Sequence, residues 1–337
     1  MYQHYLGVDL HRRRSYVVLM DAGGIVIDQR RLPNDAMPNY VAQLPESTFA
    51  VLEATGNCSY MYDVLKECTD KVVMAHPKRV KAIAAARIKT DKIDATILAH
   101  LARADLLPTA YAPPVEIREL RDLVRHRSKL VRERTRHKNR IHTILSRYNL
   151  HSPCTDLFGK QGRAFLDKVS NDLSTTHQLM LNNYLSLIDA LDEHIKSVNK
   201  IIRTGAEDDS RIKLLTSMSG IGIYSDVVIT AEIGDVSCFV GPKQLCSFAG
   251  LVPSTRSSDA HVRHGRITKE GSPWLRWIMV SAAQRAPGAS PRLARFHKRI
   301  LQQHGKKTAR VALARQMLSI IYYMLLRNTP YQERQQG

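Results

Sequence analysis

Two aspartates stand three residues apart in "RIKTDKIDATILAHL", residues 87–101. On a helix turning about 100° per residue, that spacing puts Asp91 and Asp94 on one face. The same face carries Ala95, Leu98, Leu101 and Ala102, while Lys92, Thr96 and Arg103 lie opposite. Two further acids sit in strand-like apolar runs: Asp9 in "GVDLHRRRSYVVLMD" and Glu53 in "VLEATGN". Carboxylates among apolar neighbours are costly unless paired or bound to metal. Four hard oxygen donors suit Mg²⁺ or Mn²⁺ better than zinc. Two such ions ~3.5–4 Å apart can activate a nucleophile and stabilise the leaving oxygen of a phosphodiester. Local alternatives stay open. Asp91 as an N-cap with Asp94 at N3 makes an approximate capping box, and Asp9 has Arg12, Arg13 and Arg14 nearby as ion-pair partners.

The elements that must position these acids follow from the pattern. "YLGVDL", "SYVVLMD" and "GIVIDQRRL" are short β-rich runs with Gly23-Gly24 as a turn between the last two. "TFAVLEAT" predicts a fourth strand, "CSYMYDVLKEC" a helix and "KVVMAHP" a fifth strand, which together make a mixed sheet covered by helices. Pro108, Pro113 and Pro114 then mark a boundary. Residues 115–150 read as a basic helix with Leu123, Leu130 and Ile144 at multiples of seven. A second helix near 176–203 spaces Ile188, Leu191, Ile195, Val198 and Ile202 as a coiled-coil-like seam, predicting a hairpin or an oligomer contact. The remainder, to about 328, is mainly helical, with a Ser/Gly-rich loop at 254–273.

The charge names a partner class. The 337 residues hold 50 Lys plus Arg against 31 Asp plus Glu, a formal charge of +19, and such an excess points to nucleic acid. No uninterrupted apolar run reaches the ~18 residues of a spanning helix, and the first residues lack the order of a signal peptide. The expectation is no membrane. Five cysteines without a CxxC pair fit a reducing cytosol. Aromatics are 6%, so a stacking platform is not the expected principal binding mode.

"GVDLHRRRSYVVLMD", "VLEATGN" and "IKTDKIDATILAHLARA" resemble the N-terminal DEDD motifs of insertion-sequence 110 family transposases, which are related to Piv-type DNA invertases. The resemblance implies three parts. Residues 1–110 would be an α/β RuvC-like, ribonuclease-H-type domain with Asp9, Glu53, Asp91 and Asp94 as a catalytic Mg²⁺ or Mn²⁺ site. Residues 111–208 would be a basic, coiled-coil-like helical linker, and 209–330 a mostly α C-terminal transposase domain. "FAGLVPSTRSSDAHVRHGRITKEGSPWLR" resembles that C-terminal domain, and the family's nucleophilic serine falls on Ser258. Asp259 stands where the family usually has glycine, Ser272 where asparagine is common, and Ser254 and Ser257 lie nearby.

The family chemistry transfers a DNA phosphate to the serine, which conserves bond energy for rejoining; attack by water discards it. Arg263, Arg266 and Lys269, with His261 and His264, flank the serine in sequence and are the expected groups to hold phosphate or stabilise the transition state. Arg125, Arg132, Arg136, Lys138 and Arg140 give the basic helix a nucleic-acid face, or else the solvated side of an oligomerisation helix. Gly220 and Gly222 in "SMSGIGIYSD" resemble a helix-hairpin-helix phosphate loop, with a tight helix connection as the plain alternative. The implied partners are donor and target DNA, a noncoding guide (bridge) RNA, and further copies of the chain as a homodimer or homotetramer in the bacterial cytoplasm. Alternatives are an invertase of the same family, a water-using RuvC-like nuclease or resolvase, and a non-catalytic nucleic-acid-binding regulator.

Overall fold

The computed structural model describes residues 2–55, 58–84, 90–218, 220–258 and 261–333, and the backbone alone at 256–258 and 261–264. The chain forms two compact units, Met1–Ala112 and Pro113–Gly337.

The first unit runs β1 (His4–Leu10), β2 (Arg14–Asp21), β3 (Val26–Pro33), α1 (Met37–Val41), β4 (Thr48–Glu53), α2 (Cys58–Cys68), β5 (Lys71–Ala75), α3 (Pro77–Ile83), α4 (Asp91–Arg103) and β6 (Thr109–Ala110). The sheet order is β3-β2-β1-β4-β5-β6. β1 pairs antiparallel with β2 and parallel with β4, which is parallel to β5. The short β6 and α1 carry too little periodicity to read from sequence. Side chains alternate between the two faces. Leu6, Val8, Leu10 and Leu52 pack with Met61 and Leu65 of α2, whereas Tyr5, Phe49 and Val51 pack with Ala95, Leu98 and Ala99 of α4. This mixed sheet flanked by helices is RuvC-like, as the resemblance implies.

Gly7 explains how closely α4 lies on the sheet. A Cβ at this position would stand 2.0 Å from the Ala95 carbonyl oxygen and 2.9 Å from the Ala99 nitrogen. Only glycine admits that approach.

The second unit contains α5 (Val115–Arg147), α6 (Lys160–Ser170), α7 (Thr175–Asp208), α8 (Ser210–Thr216), α9 (Ile223–Ile233), α10 (Pro242–Phe248), β7 (Pro253–Ser258), β8 (His261–Ile267), α11 (Pro273–Ala289) and α12 (Pro291–Arg327). α5 and α7 form an antiparallel hairpin, joined by Arg127–Asn199 near one end and Tyr148–His177 near the other. Leu181, Ile188, Ile195 and Ile202 recur every seven residues and are buried; Leu191 and Val198 of the expected seam are half-buried. The seam is therefore internal to the hairpin. A second core joins α8–α12, with Met279, Leu313, Met317 and Ile321 fully covered. α12 is long and apolar enough to cross a membrane by length and composition, and its Leu313, Ala314, Met317, Leu318, Ile321, Tyr322 and Met324 belong to this core.

The segment 254–273 differs from the loop expected of its Ser/Gly content. β7 and β8 form an antiparallel hairpin with Ser258 opposite His261 at its tip. Thr255, Val262 and Ile267 are the β-branched residues that favour strands in this ribbon.

Candidate active site

Asp9 is the penultimate residue of β1, and Glu53 ends β4. Val8 pairs with Leu52, so the next residue on each strand, Asp9 and Glu53, shares one face at one end of the sheet. That is the face covered by α4. Thr90 caps α4, its hydroxyl accepting from the Ile93 amide at 3.2 Å. The cap is therefore Thr90 rather than Asp91. Asp91 and Asp94 both lie in the first turn, where the helix dipole favours negative charge.

Three side chains meet at this corner. Nε2 of His11 lies 3.2 Å from Asp9 and 3.1 Å from Asp91. Ligand atoms of Asp9, His11 and Asp91 all fall within 4.8 Å of one another, a candidate divalent-metal cluster. Burial raises the Asp9 carboxyl above the ordinary carboxylate range; His11 opposes the shift, and Asp91 and Asp94 add to it by like-charge repulsion. Asp94 is thus near enough to act on Asp9. Asp91 also pairs with Arg31 at 3.4 Å. Arg12, Arg13 and Arg14, considered as partners for Asp9, are exposed, and its ion pair is with His11.

His11 is the residue that sequence reasoning passed over. The available signal was Asp-x-His at a strand end, which puts both side chains on one face. Glu53 is half-buried at the adjacent strand end and stands outside the described three-residue cluster.

The basic helix divides its arginines between two jobs. Arg125 donates from Nε and an Nη to both carboxylate oxygens of Glu232, at 2.8 and 3.0 Å. Glu232 is 1% exposed and also accepts from the Ser272 hydroxyl at 2.8 Å. A buried carboxylate needs such a partner, so Arg125 faces inward. Arg132 is exposed beside the Trp274 ring, and Arg136 pairs with Glu133 along the helix. Lys138 lies over Phe158, and Arg140 is exposed beside Tyr184.

In the second unit, Ser258 closes β7, and Asp259 lies outside the described residues. Arg263 lies on β8, and Arg266 on β8 is exposed. Lys269 has positive φ in the turn before α11. Ser272 caps α11 by accepting from the Leu275 amide at 3.1 Å. Gly220 has φ +92° and Gly222 is the N-cap of α9, so the Gly-Ile-Gly stretch joins two helices.

Comparison with known proteins gives consistent matches over this architecture. Residues 6–150 match the DEDD-type IS110 family model described as "Transposase", and residues 212–298 match the model "Transposase IS116/IS110/IS902 family". A probable family 20 transposase of Pseudomonas aeruginosa is 26% identical, covering 97% of this chain and 98% of that protein. The transposase for insertion sequence element IS1111A of Coxiella burnetii is 25% identical over 97% of this chain and 90% of its own length. A pilin gene-inverting protein of Moraxella bovis is 26% identical over 78% of this chain and 75% of its own length. With both halves of the chain matched in order and relatives aligned almost end to end, the chain belongs to the IS110/IS116/IS902 family of transposases.

Proposed function

We propose that this transposase cuts and rejoins donor and target DNA through Ser258 and a divalent-metal site made by Asp9, Glu53, Asp91 and Asp94. The observation that carries the reading is the convergence of Asp9 and Asp91 at the corner where α4 begins, with Asp94 close enough to raise the Asp9 carboxyl. A half-buried cluster of like charges with hard oxygen donors fits Mg²⁺ or Mn²⁺. When bound, the ion would supply positive charge to the attacking and leaving oxygens of the phosphodiester.

The residues of the chain carry the rest. The Ser258 hydroxyl forms a bond to phosphorus and gives up its proton as a DNA oxygen departs and takes one. The phosphoserine diester keeps the bond energy, and a DNA hydroxyl from the exchanging strand reverses the step and frees the serine. Arg263, Arg266 and Lys269 hold the phosphate and offset charge on the five-coordinate transition state. His11 holds Asp9 and Asp91 in position.

Target choice belongs to a noncoding guide RNA that pairs with donor and target. Arg132, Arg136, Lys138 and Arg140, on one stretch of α5, are the proposed contacts to its phosphates; the net charge of +19 supports this. The protein acts as a homodimer or homotetramer in the bacterial cytoplasm. The similarity to a gene-inverting protein favours a second reading, in which the same chemistry inverts a DNA segment.

Supercoiled donor and target plasmids with guide RNA and Mg²⁺ test the proposal. Wild type gives recombinant junctions; Asp94→Asn and Ser258→Ala each lower their yield by at least about 100-fold. Recombination by Ser258→Ala at the parental rate would overturn the serine step.

A further inference from the structure

We propose that a groove at the start of α9 seats one unpaired nucleotide of a single-stranded nucleic-acid segment, its base on Trp277 and its phosphates between Arg127, Arg203 and Arg285. The groove lies within the second unit, among α5, α7, α9 and α11, with a cavity volume of about 580 Å³. That is within the range of nucleotide-sized ligand sites.

Its lining carries those three arginines and no carboxylate. Arg203 and Arg285 are exposed and have no acidic partner among the described residues. Arg127 is held in place, its Nε donating to Asn199 Oδ1 at 3.1 Å and its guanidinium 4.2 Å from the Tyr224 ring centre. Three positive groups converging on one concave surface raise the local concentration of phosphate.

Trp277 supplies the second element. Its neighbours on α11, Leu275, Ile278 and Met279, are buried in the core, yet Trp277 is 43% exposed at the groove. A large indole left in water beside cations is the arrangement that stacks an unpaired base. The low aromatic content does not rule this out, because one exposed indole in the right place suffices.

The glycines then acquire separate roles. Gly220 at φ +92° would, with a Cβ, stand 2.8 Å from the Ala286 Cα, so glycine lets this turn lie against α11. Gly222 offers no side-chain cap, and a Cβ there would point into open space. The Ser225 and Asp226 amides donate to the Gly222 carbonyl at 2.7 and 3.1 Å, which leaves the Ile223 and Tyr224 amides of the first turn of α9 to add to the anion site. A paired duplex presents no base face to Trp277, which is why an unpaired strand is the occupant.

The inference rests on the family activity only for the source of the strand, unpaired DNA during exchange or a loop of the guide RNA. Its test is equilibrium binding by full-length Asp94→Asn protein, which reads nothing about strand exchange. Fluorescein-labelled dT12, rU12 and a 12-base-pair DNA duplex are titrated by anisotropy at several salt concentrations. Trp277→Ala should weaken binding of a single strand by about 5- to 100-fold, with Trp277→Phe restoring most of it and the duplex unchanged. Preference between dT12 and rU12 identifies the strand. Arg203→Gln with Arg285→Gln, both on the surface, should flatten the slope of log affinity against log salt by about 1.4. Single-strand affinity within twofold of the parent for Trp277→Ala, an equal loss on the duplex, or an unchanged salt slope overturns the proposal.

Discussion

Asp9 is held by two opposing influences, burial that favours its neutral form and a His11 ring that favours its charge. Asp91 and Asp94 add like-charge repulsion to Asp9, which is the electrostatic case for a cation at this corner. Arg125 shows how position within a basic helix decides a residue's role. Removing it leaves Glu232 buried without its guanidinium. We expect Arg125→Ala to destabilise the second unit by about 3–5 kcal/mol in urea unfolding, with Glu232→Gln in the same chain recovering most of the loss. An unchanged midpoint would mean the pair is not structural. At this scale the sequence was most informative about acids, because a carboxylate amid apolar neighbours is conspicuous. It was least informative about cations. Arg125 and Arg132 sit on the same basic helix, but only the first meets a carboxylate 107 residues away in the chain. His11 escaped notice for the same reason, since its role depends on α4 arriving from a distant segment.

α4 is placed by its contact with β1, and Gly7 permits that contact. Gly7→Ala must push the helix away from the strand, because its Cβ would overlap the Ala95 carbonyl. We expect a stability loss of at least about 2 kcal/mol by thermal melting. Recombination should also fall, because Asp91 and Asp94 ride on the displaced helix. A fully stable and active Gly7→Ala would contradict this placement.

α9 carries a second element-scale test. Asp226 is fully buried, its Oδ1 lacks a hydrogen-bond partner among the described residues, and burial pushes its carboxyl up to about 7 from 3.8. Between those values the folded state keeps a proton that the unfolded chain releases. The group therefore lowers stability as pH rises through that window. Relative to the parent, Asp226→Asn should gain about 2–3 kcal/mol more at pH 8 than at pH 5 in urea unfolding. An equal difference at both pH values would show an ordinary carboxyl. The strands and long helices of both units were legible from period-two and heptad patterns. The β7–β8 ribbon was not, because its Ser- and Arg-rich sequence carries no period-two apolar pattern and its pairing is set by backbone hydrogen bonds.

Across the whole molecule, basic charge is concentrated where acids are missing. From residue 271 to 332 the chain carries eleven Lys and Arg and no Asp or Glu. The basic character of α11 and α12 is thus legible in composition, whereas the groove at Trp277 required the fold. The proposed reaction needs both the carboxylates of the first unit and Ser258, which closes β7 in the second. It is tested most directly by isolating the protein–DNA intermediate. Reactions on labelled donor DNA with Mg²⁺ and guide RNA, quenched in denaturant and digested with nuclease and trypsin, should yield the peptide "SSDAHVR", residues 257–263, with a nucleotide phosphate on Ser258. The same adduct should be absent from Asp94→Asn and Ser258→Ala. Strand exchange with no serine adduct, or an adduct that persists in Ser258→Ala, would contradict the account.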